Sequence, residues 1–218
     1  MTEQQWVGWV RKWFSLTPQQ LIALTARAEA QEDWVRIGNS ALQAVINVIH
    51  NRRIHPPQYF YNNPQILGAS RILQETSSPY HAIILGYQQF SCYLSEYSEI
   101  TEHYTDPDTF NYYLKNNKCL QACMRLVDAL VNGTLIDITG GADHYVNPRI
   151  TQPSIVENFN RTMVYRTDIG QHRFWSAPPH YWENPQRFKP PEYVAGKPQT
   201  ELLRVIVPAT GIIMGGGV

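Results

Sequence analysis

The stretch from Trp34 to Arg53, WVRIGNSALQAVINVIHNRR, constrains the fold more than any other. Ile37, Ala41, Val45, Val48 and Ile49 recur at helical spacing, and Leu42 and Ile46 widen the stripe they make. A helix with so broad an apolar face belongs in the middle of a domain, with other elements wrapped around it. Pro56-Pro57 closes it, because proline withholds the amide that a further turn would need. A partner helix is expected before it. Thr17-Pro18-Gln19-Gln20 reads as N-cap, N1 proline and capping-box glutamine, followed by Leu21, Leu24 and Ala28 on one face. A third helix is expected over 118–132, with Cys123, Leu126, Val127, Leu130 and Val131 inward and Asn132-Gly133 as its stop.

Shorter elements fill the gaps. Trp6, Val10, Trp13 and Phe14 form a helical stripe expected to pack on the domain behind it; a membrane-surface helix is the other reading. Short helices and loops are expected over 62–99. RTMVYRT and QHRFWS, joined by Asp168-Ile169-Gly170, read as a β-hairpin. From Ser176 to Pro198 the chain is punctuated by proline. LLRVIVP then reads as a strand, and GIIMGGGV as an apolar, glycine-rich end. The expected architecture is α+β and mainly α. Residues 1–16 form an N-terminal amphipathic helix, 17–175 the main domain with its small hairpin, and 176–218 a C-terminal extension.

Composition removes several function classes. Lys+Arg and Asp+Glu both number 18, so no net basic charge draws the chain to nucleic acid. No apolar run approaches the roughly 20 residues that a spanning helix needs. MTEQQWVGWVRKWFSL has neither the charged start nor the apolar run of a secretory signal peptide. Cys119 and Cys123 lie one helical turn apart without a zinc-ligand pattern and are expected in the core, while Cys92 stands alone. The 13 tyrosines and 6 tryptophans suit a protein that stacks flat faces such as sugars, although packing alone explains such a count equally well.

Two places look chemical. Glu29 shares a helix face with Ile22, Thr25 and Ala26. A carboxyl at the rim of an apolar stripe is partly desolvated, which favours the neutral form that a general acid requires. The plainer reading is a helix-terminal glutamate facing water, with Glu32 and Asp33 as a solvated pair or a cap for the next helix. The second place is TGGADHYVNP, residues 139–148. It lacks the lysine and flanking strand and helix of a phosphate loop. A plain turn held by Asn147 and Pro148 is one reading. Cys92 with His144 would make a thiolate–imidazolium pair, but no helix N-terminus is evident to lower the thiol pKa. His144 with His172 would make a metal site, although no helical H-E-x-x-H accompanies them.

Five blocks, in order, resemble the spore-cortex-lytic (SleB-like) type of cell wall hydrolase. ARAEAQED resembles that family's A-x-x-x-E-A-R-G-E block, with Glu29 at its first glutamate. AVINVIHNRR resembles A-V-x-x-V-x-x-N-R. QQFSCY resembles Q-F-S-C-W, with Tyr93 in place of tryptophan. ALVNGTLIDITGGADHYVNP resembles N-G-x-x-x-D-x-T-G-G-A-x-x-Y-x-N-P, and DIGQHRFW resembles I-G-x-H-x-F. Gln31-Glu32 follows Ala30 directly, which sets Glu32 one position early and leaves its role open.

The resemblance implies a lysozyme-like, lytic-transglycosylase-like domain over 17–175. It implies cleavage between N-acetylmuramic acid and N-acetylglucosamine in peptidoglycan glycan strands, with Glu29 as acid and then base and with no metal or other cofactor. Lytic transglycosylation is the expected chemistry, since no second acid is well placed. Hydrolysis, with Asp143 activating water, stays open. Gln89, Phe90, Ser91, Tyr93, Gly140, Gly141, His144, Tyr145 and Asn147 are the expected substrate-binding residues. The alternatives are a Cys/His amidase or peptidase acting on the stem peptides, and a non-catalytic virion or cell-wall-binding protein. Without a signal peptide, a phage-encoded lysin is expected, either virion-associated through docking of residues 176–218 on a virion or tail, or held in the host cytoplasm before release to the wall.

Overall fold

The computed structural model describes residues 1–178 except 56–59, 62–65, 95–99 and 101–102. The helices are α1 (Glu3–Val10), α2 (Pro18–Ile37), α3 (Asn39–Ile54), α4 (Ala69–Thr76), α5 (Pro79–Leu85), α6 (Pro107–Asn116), α7 (Lys118–Val131) and α8 (Pro153–Thr162). Two 3₁₀ turns, Arg11–Trp13 and Ser91–Tyr93, lie between them. Strands β1 (His144–Val146), β2 (Val164–Ile169) and β3 (His172–Ser176) form one antiparallel sheet in the order β1-β3-β2. The fold is α+β and mainly helical, as expected. The docking expected of 176–218 falls on residues outside the described set from 179 onward, and Ser176 is the last residue of β3. Among the described residues no helix is long and apolar enough to cross a membrane.

The enclosed helix pair is α2 and α3. Thr17 caps α2 as expected: its hydroxyl accepts from the Gln20 amide at 3.2 Å, and the Gln20 side chain accepts from the Thr17 amide at 2.9 Å. Leu21 to Arg27 are buried without interruption, so this part of α2 is surrounded on every side. It packs on α3, α5 and α7.

The boundary between the pair differs from expectation. Trp34 to Ile37 belong to the end of α2, and Ile37 is exposed rather than in the core stripe. Gly38 makes the break, with φ 70 and ψ −152. Only glycine tolerates that backbone region, which costs other residues about 1–3 kcal/mol. Gly38→Ala is therefore expected to lose about 1–3 kcal/mol in denaturant unfolding, although a Cβ there would meet open space. Unchanged stability would mean that the turn relaxes at no cost. Val131, expected inward at the end of α7, is also exposed, because the helix leaves the core in its last turn.

The N-terminal stripe is part of the main core. Trp6, Val7, Val10 and Trp13 are buried in the same cluster as α2 and α3. Helix α1 stops at Val10, and the Arg11–Trp13 turn carries the last tryptophan inward. The Trp6 indole donates to the Leu85 carbonyl at 2.8 Å, and Trp9 to the Tyr93 carbonyl at 2.9 Å. Trp13 meets the Tyr93 ring edge-on at 4.9 Å. These contacts hold the Ser91–Tyr93 turn from behind.

The sheet sorts its side chains by alternation. Tyr145 and its partner Phe174 face the main core, while Val146 and Trp175 face a separate cluster with Phe159 of α8.

Candidate active site

Glu29 lies mid-helix in α2, half-buried. Two elements distant from it in the chain converge on its carboxyl. From the 3₁₀ turn, the Ser91 hydroxyl donates to Oε1 at 3.1 Å and the Cys92 amide to the same oxygen at 3.3 Å. From β1, the Tyr145 hydroxyl donates to Oε2 at 3.1 Å. Burial, with the Glu29 charge beside it, pushes the Tyr145 phenol well above its ordinary value, so it remains a donor. The plainer reading of Glu29, a helix-terminal glutamate facing water, does not describe this carboxyl.

Glu29 is one of three polar residues on a single face of α2, spaced four apart. One turn earlier, the Thr25 and Tyr93 hydroxyls lie 2.8 Å apart. One turn later, Asp33 is buried and takes the β2–β3 turn. It accepts from the Gln171 amide at 3.2 Å, from the Gln171 side chain at 3.2 Å and from His172 Nδ1 at 3.0 Å, and it pairs with Arg36. Asp33 is thus neither solvated nor a cap for α3, whereas Glu32 is exposed. Burial works against its charge, but the Gln171 amide, Arg36 and His172 hold the carboxyl below its ordinary value. Counted from Glu29, Asp33 stands where the E-A-R-G-E pattern has its second acid. The reading that placed Glu32 one position early missed this, and the i+4 spacing was the signal.

The other expected residues divide by burial. Ser91 and Tyr145 touch Glu29. Gln89, Phe90 and Tyr93 are buried at about 1% exposure or less, which withdraws them from direct contact with a polysaccharide. Tyr93 is a core platform between Trp13 and Thr25 rather than a platform for sugar. Phe90 and Phe60 sandwich the Arg52 guanidinium, with ring centroids 5.0 and 5.2 Å away. Arg52 donates to the Asp143 carbonyl at 2.8 Å, which ties α3 to the start of β1.

His144 precedes Tyr145 in a strand, so the two side chains must point to opposite faces. His144 accordingly lies fully buried between Phe60 and Phe159, with Nδ1 on the Asp143 carboxylate. Burial pushes the imidazole pKa below its ordinary value, against the pull of Asp143. It is therefore withdrawn as a substrate-binding residue. Asp143 is equally buried and binds the Ala177 amide at 3.1 Å, so it has no access to a water beside Glu29.

The glycine pair is shaped by Asp137. Its carboxylate accepts from the Thr139 amide at 2.8 Å and the Gly141 amide at 2.7 Å, and Asn51 reaches it at 3.1 Å. Gly140 and Gly141 have φ values of 66 and 82, and a Cβ on either would meet open space. Left-handed backbone is what requires glycine here. Asn147 uses its side-chain oxygen on the Arg149 amide at 3.0 Å, as the turn reading expected.

The surroundings of Cys92 oppose thiol chemistry. Burial and the nearby Glu29 charge push the Cys92 thiol well above its ordinary value, the opposite of what a nucleophile needs. Cys119 and Cys123 are buried in α7, as expected. His172 is engaged by Asp33, and among the described residues no cluster of His, Cys, Asp or Glu could hold a metal ion.

Comparison with known proteins gives one finding. A family model described as Cell Wall Hydrolase matches residues 38–175. No curated protein and no solved structure matches the chain. The matched segment begins after Glu29 and does not include it. The segment covers α3, the Ser91–Tyr93 turn, the Asp137 loop and the whole sheet, well over half of the chain. The chain therefore belongs to the cell wall hydrolase family, enzymes that degrade peptidoglycan.

Proposed function

We propose that the protein is a lytic transglycosylase that cleaves the bond between N-acetylmuramic acid and N-acetylglucosamine with Glu29 as its one acid. The observation that supports this reading is the Glu29 carboxyl, gripped by Ser91, the Cys92 amide and Tyr145. Two donors fix Oε1, which leaves Oε2 to carry the reacting proton beside the Tyr145 hydroxyl.

The reaction requires the protonated form of Glu29, which gives its proton to the glycosidic oxygen as the bond to the muramic C1 breaks. The substrate supplies its own nucleophile. Its N-acetyl oxygen can hold C1, after which the C6 hydroxyl attacks C1 and yields its proton to the Glu29 carboxylate. The products are a 1,6-anhydro muramic end and a free N-acetylglucosamine end. No water is consumed and the acid is regenerated. Most glycosidases that use two carboxylates place the second across the bond. Here the two acids that follow Glu29 on α2 are Glu32, which is exposed, and Asp33, which is committed to the hairpin turn, while Asp143 is buried.

Mass spectrometry of digested peptidoglycan tests this. Anhydro-muropeptides are the expected product. Reducing muramic ends would overturn transglycosylation in favour of hydrolysis, with a base to be sought among Glu96, Glu99 and Glu102, which lie outside the described residues. Freed stem peptides that disappear in Cys92→Ser would replace the glycosidase reading with an amidase or peptidase.

A further inference from the structure

We propose that Asp33 and His172 form a positioning dyad that sets the Tyr145 hydroxyl on the carboxyl of Glu29. The proposal rests on the assignment of Glu29 as the acid.

The geometry runs in one chain of contacts. Asp33 Oδ2 receives His172 Nδ1 at 3.0 Å, which requires the proton on Nδ1 and fixes the plane of the ring. The fixed ring meets Tyr145 edge-on, with centroids 5.3 Å apart. Phe174 stacks on Tyr145 at 5.5 Å. The phenol is thus held by two rings from β3, and its hydroxyl reaches Glu29 Oε2 at 3.1 Å.

The β2–β3 turn is itself drawn onto Asp33. A Cβ on Gly170 would sit 2.8 Å from Asp33 Oδ2. Asp33 and Glu29 stand one turn apart on the same rigid helix, so the dyad measures the position of the sheet from the helix that carries the acid. A mismatch of about 1 Å in such an arrangement is enough to lose on the order of 100-fold in rate. The faces around the dyad supply Arg36 from α2, Gln171 from the turn and Tyr145 from β1.

The test measures kcat and KM on soluble glycan strands, with thermal melting recorded for every variant. Asp33→Asn is expected to lower kcat by about 10- to 100-fold with KM little changed, because the dyad acts through Tyr145 rather than on the glycan. Asp33→Glu, which keeps the acceptor, recovers most of the loss. His172→Asn retains a donor for Asp33 but removes the ring from Tyr145, so it shows the same kcat loss in a chain whose turn stays anchored. In a Tyr145→Phe background, Asp33→Asn changes kcat by no more than about twofold, since coupled residues are not additive.

Equal losses in both backgrounds, or a loss carried in KM, overturn the proposal and leave Asp33 a general stabiliser of the turn. Glu29→Gln run in parallel separates the two claims. Full activity there removes the acid and this inference with it. An inactive Glu29→Gln beside an unaffected Asp33→Asn overturns the dyad alone.

Discussion

Glu29→Gln is expected to lower glycan cleavage by about 1,000-fold or more while melting as the wild type does, since a positioned acid–base group supplies on the order of 100- to 10,000-fold. The substitution preserves shape. The Gln carbonyl still accepts from Ser91 and the Cys92 amide, and the Tyr145 hydroxyl turns to accept from the new amide. What disappears is the transferable proton. Glu29→Asp keeps the proton but withdraws it by one methylene from the position that three donors define, so a loss of about 100-fold is expected there. The measurement is the rate of anhydro-muropeptide release, with circular dichroism melting as the control. Full activity in Glu29→Gln would remove the acid assignment outright.

Asp143→Ala is expected to have the largest effect on stability. Asp143 lies fully buried and serves His144 Nδ1 and the Ala177 amide, with His55 Nε2 at 3.6 Å. Deleting the carboxylate leaves the His144 and Ala177 donors enclosed without this acceptor, while His55 is partly exposed and also lies 3.4 Å from the Gly141 carbonyl. Each buried donor left unsatisfied in this way costs about 1–3 kcal/mol. For a chain of this size the two together lower the thermal midpoint by roughly 10 °C. Well below that midpoint the folded fraction still cleaves glycan, because Asp143 supports β1 and not the chemistry. A loss as deep as that of Glu29→Gln in a protein whose melting is unchanged would instead restore Asp143 as an activator of water.

Much of this was legible in the chain because it depends on local pattern. The Thr17 capping box, the broad face of α3, the Asn132-Gly133 stop and the hairpin all follow from residues within one or two turns of each other. Helices α6 and α8 carry start signals of the same kind. Asp106 precedes Pro107 and its carboxylate caps the Asp108 and Thr109 amides, while Pro153 stands at N1 of α8.

The errors came from burial and facing, which periodicity alone does not decide. Tyr93 and Phe90 look like aromatic platforms until the N-terminal tryptophans close behind them. His144 looks catalytic until β1 is known to be a strand, because alternation then sends its ring to the face away from Tyr145. Asp33 looked like a solvated acid because its partners, Gln171 and His172, lie far along the chain. Glu29 itself became more than a rim carboxyl only when Ser91 and Tyr145 arrived from two distant elements.

The enclosure of α2 bears on where this enzyme can be cut. A fragment spanning only 38–175 would carry every element that the family match covers. It would lack Glu29, both of its neighbours on the α2 face, and the tryptophans that back the Ser91–Tyr93 turn. Its α3 would present to water the face that α2 now covers. The smallest portable unit that keeps both core and chemistry therefore begins upstream of Trp6, and a fusion partner joined at the N-terminus belongs on the exposed side of α1, beyond the Thr2 cap.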